Sequence, residues 1–290
     1  MSMCRLVAGV AWNREGSGTL AELIRLLARA ASNDPYLAAI TGGEARHCHG
    51  LGFLLVLGIG TSWRVVYERF DALTHNIDEE EACQANLDVL RGIVEHVAGH
   101  ISTSERAYVI VHARRAGRSE PRGSLNAHPF IVTLEQPEAS LELYLAHNGG
   151  LDKDVLGERL GVNPSAYTDS HLLAMYLVRR LQMGVSLSDA IAEAREFTKS
   201  GLDLAIALLD RRANGVKPTL YLVGYMKPGL DENRQKYYEP IGFLGDGTAG
   251  YVSSTIRNLA IDKDLPLKFE RVWGVYEAEI EHGLRKLKDL

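Results

Sequence analysis

Cysteine is scarce in this chain: 290 residues hold three, Cys4, Cys48 and Cys83, with no Cys-x-x-Cys pair among them. So few predict no disulfide framework, point to a reducing cytoplasm as the expected location, and leave a single thiol free for chemistry. No apolar run reaches the ~18 residues that a membrane-spanning helix needs. The start lacks a basic segment leading into an apolar one, so secretion is not expected. Positive charge is not in excess either, with 32 Lys and Arg against 37 Asp and Glu, a net charge of −5 and a pI near 6.1. That balance argues against a nucleic-acid binder driven by phosphate contacts and against attraction to anionic membranes. Fixed-period repeats, low-complexity tracts and linkers rich in Pro, Gly or Ser are also missing. What is present is 46% hydrophobic and 24% charged residues, enough for a sizeable core under an ordinary polar surface. One domain over 1–290, α+β in class, is the expected organisation.

Local patterns supply the elements. Residues 4–12 are apolar apart from Arg5 and predict a buried strand; Leu20, Leu23, Ile24, Leu27 and Ala30 share one helical face, stopped by Asn33-Asp34-Pro35. Strands are expected at 51–60 and 63–70, and a helix from Asp78 to about residue 98. Further strands are expected at 107–113, 129–135 and 141–147, the last running into Asn148-Gly149-Gly150 as a turn. Helices follow at 171–183 and from Ser186 to about 198, whereas 203–210 fits either type. Strands at 219–226, 237–244 and 250–256 come next, with Gly245-Asp246-Gly247 as a hairpin turn, and the tail over 267–288 starts β-like and ends as a charged helix.

Several residues could carry chemistry. A cysteine with a free α-amine holds nucleophile and base on one residue, because that amine titrates near 7.7–8. Arg114, Arg115, Arg118 and Arg122 form a basic loop whose guanidinium groups could clamp a carboxylate. Asn148 with Gly149 offers the neutral donors of an oxyanion hole, and Asp169 serves either as a helix N-cap or as a partner for an ammonium group. His47-Cys48-His49 has metal-ligand residue types but no second pair at a matching spacing, so a loop is preferred over a zinc site.

Taken in order, Cys4 at the head of MCRL, His112-Ala113-Arg114, Asn126-Ala127-His128-Pro129-Phe130, Ala146-His147-Asn148-Gly149 and Thr168-Asp169-Ser170 resemble the class II glutamine amidotransferases. These belong to the N-terminal nucleophile hydrolases, and the likeness reaches from Cys4 to about residue 183. The resemblance implies a four-layer αββα sandwich, with 200–290 completing it. It makes Cys4 the nucleophile and Asn148 and Gly149 the oxyanion donors. Arg114 and Asp169 would hold the α-carboxylate and α-amine of glutamine, and His112 would line the substrate site. The implied reaction is hydrolysis of the glutamine side-chain amide to glutamate and ammonia through a γ-glutamyl thioester. It needs no cofactor and no metal, and a synthase partner would receive the ammonia. Two alternatives stay open: hydrolysis of another γ-glutamyl amide or peptide, and a non-catalytic ligand-binding role should Cys4 not be N-terminal. The oligomeric state is likewise open.

This chain departs from the family pattern in places. The family's His-x-Asp-Gly-Trp-Gly is His47-Cys48-His49-Gly50-Leu51-Gly52 here, and His171 follows the Asp-Ser pair in place of an acidic residue. Met1-Ser2-Met3 also stand before Cys4. Initiation at Met3 with its removal, or autocatalytic clipping, would expose the amine.

Overall fold

The computed structural model describes residues 3–72, 78–117, 120–136, 139–212 and 215–290. Strand β1 (Met3–Ala11) is buried along its whole length, as its apolar run requires of a strand covered on both faces. Its alternation separates two environments. Leu6, Ala8 and Val10 point into one core cluster, and Val7 and Ala11 into another.

Asn13, whose side chain accepts the Gly16 N–H, caps α1 (Arg14–Ser32), so this helix begins earlier than Ser17. Asn33 ends it, while Asp34 and Pro35 start a second short helix, α2 (Pro35–Thr41), in a stretch that reads as a turn. Pro suits the first turn of a helix, where no N–H bond is lost. The hairpin β2 (Leu51–Ile59) and β3 (Ser62–Phe70) lies where expected. Asp78 caps α3 (Glu79–Ser102), and β4 (Ala107–Arg115) follows.

Next come β5 (Phe130–Gln136) and β6 (Ala139–Leu151). Asn148-Gly149-Gly150 is therefore strand and not turn, with a bulge between Gly149 and Leu151 against the neighbouring strand. Three helices follow: α4 (Lys153–Leu160), α5 (Asp169–Gln182) and α6 (Leu187–Ala194). Thr168, not Asp169, caps α5 by accepting the His171 N–H. The ambiguous apolar segment is part of the long strand β7 (Thr198–Arg212), which pairs with β8 (Gly215–Gly224).

The last quarter differs most from expectation. Helix α7 (Glu232–Tyr237) occupies the start of the expected 237–244 strand, leaving β9 (Ile241–Gly245). Strand β10 (Thr248–Val252) then stops at Ser253, which caps α8 (Ser254–Asp262). The charged tail is not a helix. It forms β11 (Lys268–Arg271), β12 (Gly274–Glu279) and β13 (Gly283–Lys288), because β11 pairs with β9, and β12 pairs with both β8 and β13.

The strands make two sheets, of order β11-β9-β10-β1-β4-β2-β3 and β13-β12-β8-β7-β6-β5, every pairing antiparallel. Helices α1, α3 and α8 cover the outer face of the first sheet, α5 and α6 that of the second, and the inner faces share one apolar layer. This is the four-layer αββα sandwich, with β1 and β6 meeting across its middle. C-terminal strands contribute to both sheets: β10 pairs with β1, and β12 with β8.

Scarcity of cysteine does not prevent one bridge. Cys48 and Cys83 are joined across a sequence separation of 35, a single bridge where no disulfide framework is expected. The bond ties the His47–Gly50 segment to α3, and Asn86 of the same helix donates to the Cys48 carbonyl at 2.7 Å.

Candidate active site

At the end of β1, where the two sheets face each other, the expected residues converge. Cys4 shares the inner face with Leu6, and register places it opposite Arg114 of β4, with Leu6 opposite His112. Strand β6 brings Asn148 from the other sheet, and the Cys4 N–H donates to its Oδ1 at 3.0 Å. Asn148 Nδ2 in turn donates to Asp203 Oδ2 of β7 at 3.2 Å. An amide nitrogen carries two hydrogens. Asp203 therefore anchors one of them and leaves the other for a reacting oxygen.

Arg114 is fully buried, yet among the described residues only one of its nitrogens is satisfied: Nη1 donates to the Pro121 carbonyl at 2.9 Å, while Nε and Nη2 find no partner there. Such donors are costly to leave unpaired away from water. Their natural complement is an anion with two acceptor oxygens. Burial presses the guanidinium below its ordinary pKa, and the nearby Cys4, Glu120 and Asp169 oppose that shift.

Asp169 opens α5 and is 5% exposed. Its carboxylate accepts the Leu151 N–H at 2.9 Å and the Ser170 N–H at 2.7 Å, which fixes it beside the β6 bulge. Gly149 at that bulge has no room for a side chain, since an added Cβ would lie 1.9 Å from the Gly201 carbonyl oxygen. Behind it, His147 spans Ser170 Oγ at 3.0 Å and the Gly201 carbonyl at 3.3 Å. His112 contacts the His147 carbonyl through Nε2 at 3.3 Å and packs on the His128 ring at 4.2 Å between centroids.

In this chain Cys4 follows Met3, which pairs with Arg115 in the sheet, so the Cys4 nitrogen is a peptide N–H and not an amine. The thiol is fully buried, and burial pushes its pKa up to about 12 against the lowering pull of Arg114. It is a neutral thiol at physiological pH. A base and a loss of desolvation are both needed before it can attack.

The residues that sequence reasoning missed lie around this centre. Asp203, whose carboxyl is pushed well above its ordinary pKa by burial, orients Asn148. On the outer face of β1, Arg5 pairs with Asp34 at 2.6 Å, and Asp34 also meets His47 Nε2 at 2.7 Å and the Thr255 hydroxyl at 2.6 Å. Tyr237 stacks on the Arg5 guanidinium at 3.9 Å and donates to the Cys4 carbonyl at 2.9 Å. This buried frame clamps β1 at Cys4. Nothing local marks it, because its contacting members are 13 to 233 residues apart, from Asp34–His47 to Cys4–Tyr237. The other motif histidine cluster is dispersed: His47 sits in that frame, Cys48 is in the disulfide, and His49 Nδ1 accepts the Ala116 N–H at 3.2 Å. Arg115 is half-buried and Arg122 pairs with Glu79 at 2.6 Å, away from Cys4; Arg118 lies outside the described residues.

No protein-family model matches this chain, and no curated protein does. Among solved structures it is similar to the glutamine phosphoribosylpyrophosphate amidotransferase of B. subtilis complexed with ADP and GMP, at 16% identity and a TM-score of 0.49, covering 98% of this chain and 49% of that one. It is also similar to a structure described as the allosteric regulatory enzyme of purine biosynthesis, at 16% identity and a TM-score of 0.51, covering 98% of this chain and 48% of that one. The chain thus spans about half the length of the solved chains it matches. The second likeness supports the fold alone, the four-layer αββα sandwich.

Proposed function

We propose that this chain is a class II glutamine amidotransferase-like cysteine amidohydrolase that acts on the side-chain amide of glutamine. The observation that carries the reading is the buried Arg114 fork beside Cys4, with two guanidinium nitrogens that have no partner among the described residues. A substrate α-carboxylate satisfies both, and Asp169 offers negative charge for the α-ammonium group. Cleavage of the Met3–Cys4 bond frees the α-amine that the mechanism requires.

The amine takes the thiol proton as sulfur attacks the side-chain carbonyl carbon. Negative charge then moves onto the carbonyl oxygen, where the second Asn148 Nδ2 hydrogen and the Gly149 N–H are its donors. Collapse of this intermediate expels ammonia, with the amine returning the proton to it. Water then cleaves the thioester and releases glutamate. The ammonia goes to a synthase partner under this reading, and the whole chain acts as one domain in which 200–290 complete both sheets.

The test is release of glutamate from glutamine and from γ-glutamyl peptides by protein beginning at Cys4. Preference for a γ-glutamyl peptide over glutamine would move the assignment to a γ-glutamyl hydrolase on the same machinery. A second reading, a non-catalytic ligand-binding protein, is favoured by the sealed thiol and by Met3 seated in β1. Intact-mass measurement separates them: retention of Met3 in native-source protein supports the binding role.

A further inference from the structure

Beside Arg114 is a second set of unsatisfied polar atoms that amide hydrolysis does not use. Among the described residues His128, 1% exposed, has no hydrogen-bond partner on either ring nitrogen, and His112 has none on Nδ1. Cys4, His112 and His128 each offer one ligand atom, and these atoms lie within 4.8 Å of one another. All three side chains are buried. They come from β1, from β4 and from the turn before β5, so the sandwich itself brings them together.

We propose that Cys4, His112 and His128 form a binding site for one divalent metal ion of the zinc type. Thiolate and imidazole are the ligands that Zn2+ prefers, and three protein ligands leave a fourth position to water. Tetrahedral coordination at ~2.0–2.3 Å places donor atoms roughly 3.3–3.7 Å apart, so side-chain rotations within the cluster suffice to close it. A neutral imidazole has an unshared pair on one ring nitrogen, and among the described residues neither nitrogen of His128 nor Nδ1 of His112 has a hydrogen-bond partner. Their lone pairs are thus available. Binding breaks the Cys4 S–H bond, forms a sulfur–metal bond and releases the proton to solvent, with no change of oxidation state. Arg114 opposes the added positive charge, while Asp169 and the thiolate offset it.

The binding claim stands without the amidase reading. Its consequence rests on that reading: a metal on Cys4 occupies the nucleophile, so turnover stops until a chelator removes the ion.

Cobalt(II) titration of the full chain without reductant tests the site, since cobalt reports sulfur ligation by an intense near-ultraviolet charge-transfer band. Cys4 is the free cysteine, Cys48 and Cys83 being bonded to each other, so the band identifies its source. One equivalent of cobalt should produce the band, zinc should displace it, and Cys4→Ser should abolish it. His128→Ala should also abolish it while circular dichroism stays unchanged. The exposed pair His96 and His100 on α3, 4.5 Å apart, can take up cobalt but contributes no sulfur. Folded wild-type protein without the band would overturn the proposal, as would a band that survives in Cys4→Ser. If His128→Ala unfolds, Cys4→Ser and zinc calorimetry of that variant, which should lose one site, decide the matter. Zinc binding with unimpaired glutamine turnover would leave the metal site standing and remove the inhibitory role.

Discussion

At Arg114 the cost of burial decides what the residue is for. A guanidinium held away from water with two nitrogens unpaired is stable only as part of a site that receives an anion. Arg114→Ala should weaken binding of glutamine by about 2–5 kcal/mol, the range for truncating one partner of a buried charged pair. Calorimetry on a Cys4→Ala background measures this without turnover, and wild-type affinity would take Arg114 out of the pocket. Cys4 gives a prediction in pH. Its thiol titrates near 12 in the fold and at ~8.5 in an unfolded chain. The folded protein thus keeps a proton that the unfolded chain gives up between those values. Stability from this group is whole below pH ~8.5 and is lost as pH rises through 12. Cys4→Ala should flatten that alkaline decline in denaturant melts at stepped pH; an unchanged slope would mean the thiol is not desolvated. Cys4 and Arg114 were legible because each sits in a short motif. Asp203 was not, since a lone Asp in an apolar run has no local pattern that predicts burial beside an asparagine 55 positions away.

Among the elements, β1 and β6 place the chemistry, and each depends on close contacts elsewhere. Gly149→Ala should be severely destabilising, because its Cβ would collide with the Gly201 backbone at 1.9 Å and no flexible side chain is there to yield. A soluble, wild-type-like variant would show that β6 and β7 are further apart. Asp34 caps α2 and pairs with Arg5 under β1. Arg5 and His47 hold its carboxylate well below the usual range despite burial, so its contribution is present above pH ~3.9 and is lost in acid as pH falls through the folded value. Asp34→Ala should cost about 3–5 kcal/mol by stranding the Arg5 charge, measured by urea unfolding. Strands β1, β2 and β4 were legible because each holds a long, mainly apolar run, and β3 because β-branched and aromatic residues fill it beside β2. The tail was not: alternation in Gly283–Lys288 is short and charged, and only pairing with β12 makes it a strand. Likewise Asn148-Gly149-Gly150 has turn composition, but the bulge absorbs both glycines within the strand.

For the molecule as a whole, the sandwich joins the earliest and latest parts of the chain. β10 and α8 flank β1, and α7 supplies Tyr237 to the frame beneath Cys4. Removing the C-terminal third would therefore expose β1 and the site together. The Cys48–Cys83 bond closes a loop of 35 residues from the segment before β2 into α3, and that segment also meets Arg114 through backbone bonds from His49 and to Gly50. Reduction should lower stability by about 3–4 kcal/mol on the chain-entropy scale for that loop, read as a lower melting temperature with reductant than without. An identical melt would show that the bond contributes nothing. The order of the motifs made the architecture readable before any contact was known. The connections that make it one core, from residue 5 to residue 34 and on to 255, appear only in the fold.

The central claim is that Cys4 with a free amine hydrolyses a γ-glutamyl amide. Its most direct test is a glutamate-release assay on protein shown by intact mass to begin at Cys4. The expected result is steady release from glutamine or a γ-glutamyl peptide that Cys4→Ala abolishes. No release from any of these substrates, with Cys4 demonstrably N-terminal and the protein folded, would contradict it.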